Sequence, residues 1–348
     1  MKLGFVINDI STEKDNYTTL RLARRAIRDG HEVAMIGLDG FIYTSDESMC
    51  GLAHRPSRDE YADDAELLAD LARPGVERES IAVAELDVLL LRSDPADEIG
   101  KRPWAPTSAL LFAQLAAQRR VIVLNDPIHL ADASNKTYFQ GFPAEVRPVT
   151  CISYDPKAIR DFVDAHDGSC VIKPLQGSGG RNVFVVSPGD AANINQIIEA
   201  VTRDGYAIAQ EYLPEAREGD VRMITLNGRP LQVDGRYACF RRRGNGGDAR
   251  SNISAGGSVE VAEPDERALW LAEMVAPKLI RDGMYLAGLD IVGDKMIEIN
   301  VDTPGGINMA EDLTGIDFSG AIIADLVRKV QMRDHYKGTL SNVELACL

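Results

Sequence analysis

Residues 289–300, Leu-Asp-Ile-Val-Gly-Asp-Lys-Met-Ile-Glu-Ile-Asn, read as a β-hairpin that constrains register, facing and charge at once. Gly293-Asp294-Lys295 is a turn signal, and alternating apolar residues flank it. With a three-residue loop, Val292 faces Met296, Asp290 faces Glu298 and Gly288 faces Asn300. Side chains along a strand alternate with a period of two, so Asp290, Glu298 and Asn300 share one face. Two carboxylates directly across a strand pair repel each other. A fold holds such a pair more easily with a cation between them. Hard oxygen ligands suit Mg²⁺, with phosphate oxygens completing its shell. The hairpin therefore points to a magnesium–nucleotide site, although a solvated edge hairpin with unrelated charges would share the pattern.

Around this hairpin the chain is too long, at 348 residues, for one ordinary core, and two or three compact units are expected. Residues 3–7 read as a buried strand, 9–16 as a polar loop and 17–29 as a helix ended by Gly30. Strands follow at 32–37, within 80–91 and at 121–124, with a helix near 108–118. Strands alternating with helices imply an open, doubly wound parallel α/β domain over 1–125. Ligands on such sheets sit beyond the carboxyl ends of the strands, where Asn8, Asp9 and Arg92-Ser93-Asp94-Pro95 stand.

The rest reads as α+β. Residues 126–190 carry helices near 134–139 and 156–166 and two short strands joined by a glycine-rich loop. Residues 191–330 hold further strands, the opening hairpin, a helix at 264–282 and an amphipathic helix at 319–329. Residues 331–348 are polar and are expected to fray as a tail.

A net charge of −15 leaves no global basic footprint for nucleic acid or an anionic membrane. An anionic substrate would have to be held by a local cluster of Lys, Arg and metal. The five cysteines show no CxxC and no zinc spacing, and an odd, scattered set suits a reducing compartment. No apolar run reaches the length of a membrane span, and the N-terminal run is too short for a signal peptide, so a cytoplasmic protein is expected. The five histidines are dispersed, and no Gly-x-Ser-x-Gly elbow is present.

Within the loop Gln176-Gly177-Ser178-Gly179-Gly180-Arg181, glycine lets the backbone approach a ligand, and the amides can form a nest for phosphate oxygens. A bare hairpin tip fits the same residues. Lys173 interrupts the apolar strand just before this loop and must be paired there, by a phosphate or by a structural salt bridge. Lys136, on a helix, is less specific. Gln210-Glu211-Tyr212-Leu213 ends a strand at Pro214 and can present backbone groups to an adenine edge and Glu211 to ribose hydroxyls, as a plain strand end also could. Asp220-Val221-Arg222 puts acid and base on one strand face. Arg241-Arg242-Arg243 is the one dense basic run, and a glycine-rich segment with Arg250 and Asn252 follows it. Such a segment can close over an anionic intermediate or be a plain surface loop.

In order and spacing these residues together resemble the ATP-grasp superfamily, and within it the bacterial glutathione synthetase family, up to about residue 330. The likeness is densest at 172–180, 212–222 and 288–301. It implies that ATP lies between two α+β lobes: a lid subdomain, 126–190, and a catalytic lobe, 191–330. It further implies that Lys136, Lys173 and the loop Gly177, Ser178, Gly179 and Gly180 contact phosphates. Gln210, Glu211, Tyr212 and Leu213, with Asp220 and Arg222, would complete the nucleotide site. Asp290, Glu298 and Asn300 would hold Mg²⁺ (or Mn²⁺), and Arg242, Arg250 and Asn252 would act on the transferred phosphoryl group. Arg92 would meet a substrate carboxylate, and Asp302, Thr303, Gly305 and Gly306 would line the substrate site. The implied reaction makes an acyl-phosphate from a carboxylate and ATP, which an amine then converts to an amide. The substrates would be a γ-glutamyl peptide and an amino acid, with no nucleic acid or membrane partner, in a homo-oligomer formed through the N-terminal domain.

The chain departs from the family after Asn300-Val301, where Asp302 adds a negative charge and Gly305 replaces a hydroxyl residue. The departure leaves two further readings open: a ligase of the same fold with another substrate pair, and a nucleotide-binding protein without turnover.

Overall fold

The computed structural model describes residues 1–177, 182–190, 193–203, 205–244 and 257–348. Its first sheet has the strand order Glu79–Ala82, Met49–His54, Glu32–Tyr43, Lys2–Ile7, Val88–Leu91, Ile122–Leu124. The last four strands are parallel, and the first two extend the sheet antiparallel. The parallel part is α/β as expected. Leu3, Phe5 and Ile7 pack with Leu20, Ala23 and Ile27 of helix Thr18–Arg28 on one face. Val6, Leu89 and Leu91 pack with Ala109, Ala113 and Ala116 of helix Ala105–Gln118 on the other. Both faces are covered, which is why these strands read as near-continuous apolar runs. The single strand expected within 80–91 is two: an antiparallel edge strand, Glu79–Ala82, and the parallel Val88–Leu91. The turn Val83–Glu85 between them buries Val83 and redirects the chain.

Lys2–Ile7 pairs with Glu32–Tyr43 on one side and Val88–Leu91 on the other. Asn8 and Arg92 follow the carboxyl ends of Lys2–Ile7 and Val88–Leu91, the place where open α/β sheets take their ligands.

The second sheet, in the order Thr150–Ser153, Ala207–Glu211, Cys170–Pro174, Phe184–Val186, is antiparallel. Ile159, Val163, Ile172, Ile198 and Ala209 form its core beneath helices Pro156–Ala165 and Ile194–Thr202. It draws strands from both sides of residue 190. The third sheet, also antiparallel, runs Ser258–Val261, Cys239–Arg243, Asp220–Leu226, Leu286–Val292, Lys295–Asn300.

The opening hairpin forms with Asp290 opposite Glu298 and Gly288 opposite Asn300, as read from the sequence. Its loop differs: Val292 faces Lys295, so the turn is the two residues Gly293-Asp294, with Gly293 at φ 56°. A bulge between Asp290 and Ile291 restores the register by leaving Ile297 without an opposite residue.

The C-terminal residues do not fray. Helix Phe318–His335 passes residue 331, and a last helix, Asn342–Cys347, buries Leu345 and Ala346. Ser341 and Glu344 form a capping box for that helix. Asn342 exchanges hydrogen bonds with the Val123 amide (2.8 Å) and carbonyl (2.9 Å), satisfying the open edge of strand Ile122–Leu124. Among the described residues no helix is long and apolar enough to cross a membrane.

Candidate active site

The third sheet places Asp220 opposite Arg242, Arg222 opposite Asp290 and Asp290 opposite Glu298. Acid therefore faces base in the first two pairs, and Glu298, on the fourth strand, sets a second acid against Asp290. Arg222 grips Asp290 with Nε on Oδ1 and Nη2 on Oδ2 at 2.9 Å. Arg242 Nη2 reaches Asp290 Oδ2 at 2.9 Å, and its Nε donates to Asp220 Oδ2 at 3.0 Å. Asn300 Nδ2 adds a bond to Asp290 Oδ2 at 3.1 Å. Burial by itself would raise the Asp290 carboxyl, but Arg222 and Arg242 overcome it and bring it down to about 2. Arg242 is likewise penalised by burial, yet Asp290 and Asp220 hold it above its ordinary value.

Two lysines face this hairpin. Lys136 Nζ lies 3.4 Å from Glu298 Oε1 and donates to the Gly177 carbonyl at 2.5 Å. It thus ties the start of the glycine loop to the hairpin. Lys173 donates to Gln210 Oε1 at 3.2 Å, and Gln210 Nε2 donates to Thr150 Oγ1 at 3.2 Å. Burial lowers the Lys173 ammonium; Glu298 opposes this and Lys136 adds to it. Among the described residues Lys173 has a neutral hydrogen-bond partner and no ion pair, which leaves its charge available to an anion.

The structure thus brings together Lys136, Lys173, Gln210, Asp220, Arg222, Arg242, Asp290, Glu298 and Asn300. Three sequence expectations change. The repulsion between Asp290 and Glu298 needs no shared cation, because Asp290 is held by arginines and Glu298 by Lys136. The arginine triplet splits by the period of two: Arg242 is buried in the site, while Arg241 and Arg243 pair with Glu260 on the outer face. One Glu211 oxygen, Oε1, is used locally, accepting from the Val149 amide at 2.8 Å. Tyr212 Oη accepts from Arg217, and the Leu213 carbonyl starts the turn Pro214–Glu218. Ser178, Gly179, Gly180, Arg250 and Asn252 lie outside the described residues.

The donor set suits a magnesium ion held mainly by phosphate oxygens. Glu298 is half-exposed beside Lys136, and no hydrogen bond among the described residues uses the Asn300 side-chain oxygen, while Asp290 Oδ2 already accepts three. Among the described residues no cluster of three or more His, Cys, Asp or Glu could cage a metal.

The substrate-side residues converge from a different direction. Arg92 leaves the carboxyl end of Val88–Leu91, is buried, and donates from Nη2 to the Pro304 carbonyl at 2.9 Å and from Nε to Thr19 Oγ1 at 3.3 Å. Burial draws its guanidinium down to about 10. The Gly306 amide donates to Thr18 Oγ1 at 3.0 Å and the Gly305 carbonyl accepts from Arg222 at 3.2 Å, so run 302–306 links the two sheets. Burial and the nearby Asp94 carboxylate push Asp302 up to about 7, against Lys136. Thr303 is half-buried beside it. Sequence reasoning overlooked Glu13, Thr18, Thr19 and Asn125. Asn125 bonds the Leu286 amide and the Leu286 and Val301 carbonyls, locking the first sheet to the third. These are single polar residues in apolar or loop surroundings, and no motif flags them.

Comparison with known proteins matches both parts of the chain. Residues 1–130 match the model of the prokaryotic glutathione synthetase N-terminal domain, and 135–315 that of the prokaryotic glutathione synthetase ATP-grasp domain. A glutathione synthetase of Vibrio vulnificus (strain CMCP6) is 33% identical over 255 residues, 73% of this chain and 76% of that protein. One of Synechocystis sp. is 29% identical over 335 residues, 94% of this chain and 100% of that protein. Among solved structures, the D-cycloserine synthetase DcsG superposes with a TM-score of 0.62 at 13% identity, covering 94% of this chain and 99% of its own. The ATP-grasp ligase PsnB, in complex with its minimal precursor, gives a TM-score of 0.55 at 18% identity, covering 94% and 98%. At such identities these two structures support the fold.

Proposed function

Because this chain belongs to the prokaryotic glutathione synthetase family and is an ATP-grasp ligase that forms an amide bond, we propose that it joins γ-glutamylcysteine to glycine, yielding glutathione, ADP and phosphate. The observation that carries the reading is that Lys136, and Lys173 of the second sheet, converge on the hairpin residues Asp290, Glu298 and Asn300 of the third.

Lys136 and Lys173 neutralise the ATP phosphates, and Gln210 holds Lys173 in place. Magnesium, when bound at Glu298 and Asn300 with Asp290 behind them, supplies further neutralisation of the phosphates. Arg222 keeps Asp290 ionised and oriented. Arg242, fixed between Asp220 and Asp290, points positive charge at the transferred phosphoryl group. Arg92 takes the substrate carboxylate at the edge of the first sheet. The reacting carboxylate attacks the γ-phosphorus and forms an acyl-phosphate; the amine then displaces phosphate. Protein groups position and neutralise, and no protein nucleophile is needed.

The test is a product screen by mass spectrometry with ATP, Mg²⁺, γ-glutamylcysteine and glycine. Glutathione is the expected product. ADP release with other carboxylate–amine pairs but no glutathione would assign the chain to a ligase of different specificity. That second reading is favoured by one observation, the buried acid Asp302 in run 302–306.

A further inference from the structure

Two charged side chains follow the carboxyl ends of neighbouring parallel strands, and one of them, Glu13, has no part in the function proposed above. Glu13 sits in the loop after Lys2–Ile7, and Arg92 follows Val88–Leu91 directly. These are the strands between which the chain's direction of winding reverses, where open α/β sheets take their ligands. Asn8 zips the two loops together: its Oδ1 accepts from the Asp94 amide at 2.7 Å and its Nδ2 donates to the Asp94 carbonyl at 2.9 Å.

Glu13 Oε2 is buried and has no hydrogen-bond partner among the described residues. Arg92 spends Nε on Thr19 and Nη2 on Pro304, and no hydrogen bond among the described residues uses its Nη1. Among the described residues, Arg92 is the charge that acts on Glu13 and Glu13 the charge that acts on Arg92. A half-buried carboxylate with one enclosed oxygen and a buried guanidinium attract each other here, with no hydrogen bond or ion pair between them among the described residues. An orphan buried acceptor of this kind is costly, and native folds keep few of them.

A group that carries both charges would satisfy the pair. We propose that Glu13 and Arg92 together hold the zwitterionic end of an α-amino acid, with its carboxylate on Arg92 Nη1 and its ammonium on Glu13. Glu13 is thereby the residue that selects a carboxylic substrate bearing an adjacent amine. The proposal rests on the reading of Arg92 as the substrate-carboxylate residue. It deepens the proposed function, because the glutamyl end of γ-glutamylcysteine is such a zwitterion. Its two charged groups share one carbon, so one small ligand group can answer both side chains.

The experiment is a calorimetric titration of the full chain with γ-glutamylcysteine and with its desamino counterpart, glutarylcysteine. Wild type binds the desamino peptide about 10- to 100-fold more weakly, the loss expected for one charge-assisted hydrogen bond in a dry site. Glu13→Gln weakens γ-glutamylcysteine to the same level and leaves glutarylcysteine within about threefold, while ATP affinity is unchanged. Glu13→Asp, which keeps the charge, retains part of the preference and controls for a misfolded loop. A Glu13→Gln protein that still prefers the amine-bearing peptide as wild type does overturns the proposal. If wild type makes no glutathione, that substrate assignment falls separately. The Glu13 comparison then moves to whichever α-amino carboxylate the product screen reveals, against its desamino analogue, and the proposal fails if no such substrate exists.

Discussion

Arg222 and Asp290 stand opposite each other on neighbouring antiparallel strands, and the guanidinium holds both carboxylate oxygens. The pair is buried, so neither charge is compensated by water. Removing one partner should leave the other stranded. Arg222→Ala is expected to lower unfolding stability by about 3 kcal/mol or more, read as a shift in urea midpoint at unchanged slope. A loss below about 1 kcal/mol would mean that Arg242 alone can carry Asp290.

The same carboxylate sets an acid limit. Its folded value of about 2 lies below its ordinary 3.8, so it contributes stability above pH 3.8 that disappears as pH falls towards 2. Asp290→Asn removes that contribution. Its melting temperature, measured from pH 6 to pH 2, should converge on that of wild type at the acid end. A constant gap over the range would show that Asp290 does not titrate as described.

Glu298 is half-exposed and pairs with Lys136 at 3.4 Å, a contact worth little to folding. Glu298→Gln should nevertheless cut turnover by about 100-fold or more, because it removes a proposed metal ligand. ADP release against Mg²⁺ concentration, beside a thermal melt, tests this. An unchanged rate with a normal Mg²⁺ requirement rejects the hairpin as the metal end of the site.

Lys173 is desolvated with a single neutral partner, so its charge burdens the empty fold. Burial, the leading cause, lowers its folded value; the cost of keeping it charged is therefore present below that value and fades as pH rises through it. Lys173→Met should hold or raise the melting temperature at pH 7 while weakening ATP by about 10- to 100-fold. Loss of stability together with intact ATP binding would make it a structural lysine.

Glu13 makes the opposite pH prediction. Burial raises it from its ordinary 4.5 to about 7, with Arg92 opposing. The folded chain thus binds this proton more tightly than the unfolded chain, and the carboxylate costs stability increasingly from pH 4.5 to 7. Glu13→Gln should match wild type near pH 4.5 and exceed it above pH 7, by at most about 3 kcal/mol. A difference that does not grow with pH contradicts a buried, ionising Glu13.

Much of the site was legible because its residues obey short-range rules. The facing of Asp290, Glu298 and Asn300 follows from the period of two in a hairpin, and Lys173 stood out as a charge inside an apolar strand. The bulge at Ile297 was not legible, because two-residue and three-residue turns fit the same Gly-Asp-Lys string and differ only in pairing energy. Nor was the split of Arg241, Arg242 and Arg243, whose partners lie on strands far away in sequence. Residues 331–348 look polar, yet they dock because a capping box starts a helix whose Asn342 meets the Ile122–Leu124 edge of the first sheet.

By itself the sequence determined the α/β first unit, the identity of the hairpin and the chemical types available to an ATP-dependent ligase. Local periodicity, turn chemistry and residue type carry that information. Tertiary structure decided which charges meet: Arg222 and Arg242 on Asp290, Lys136 on Glu298, and Glu13 near Arg92 with no hydrogen bond between them among the described residues. Those pairings depend on long-range strand order and burial. In a low-dielectric interior their energies are set by a few ångströms that no one-dimensional pattern encodes.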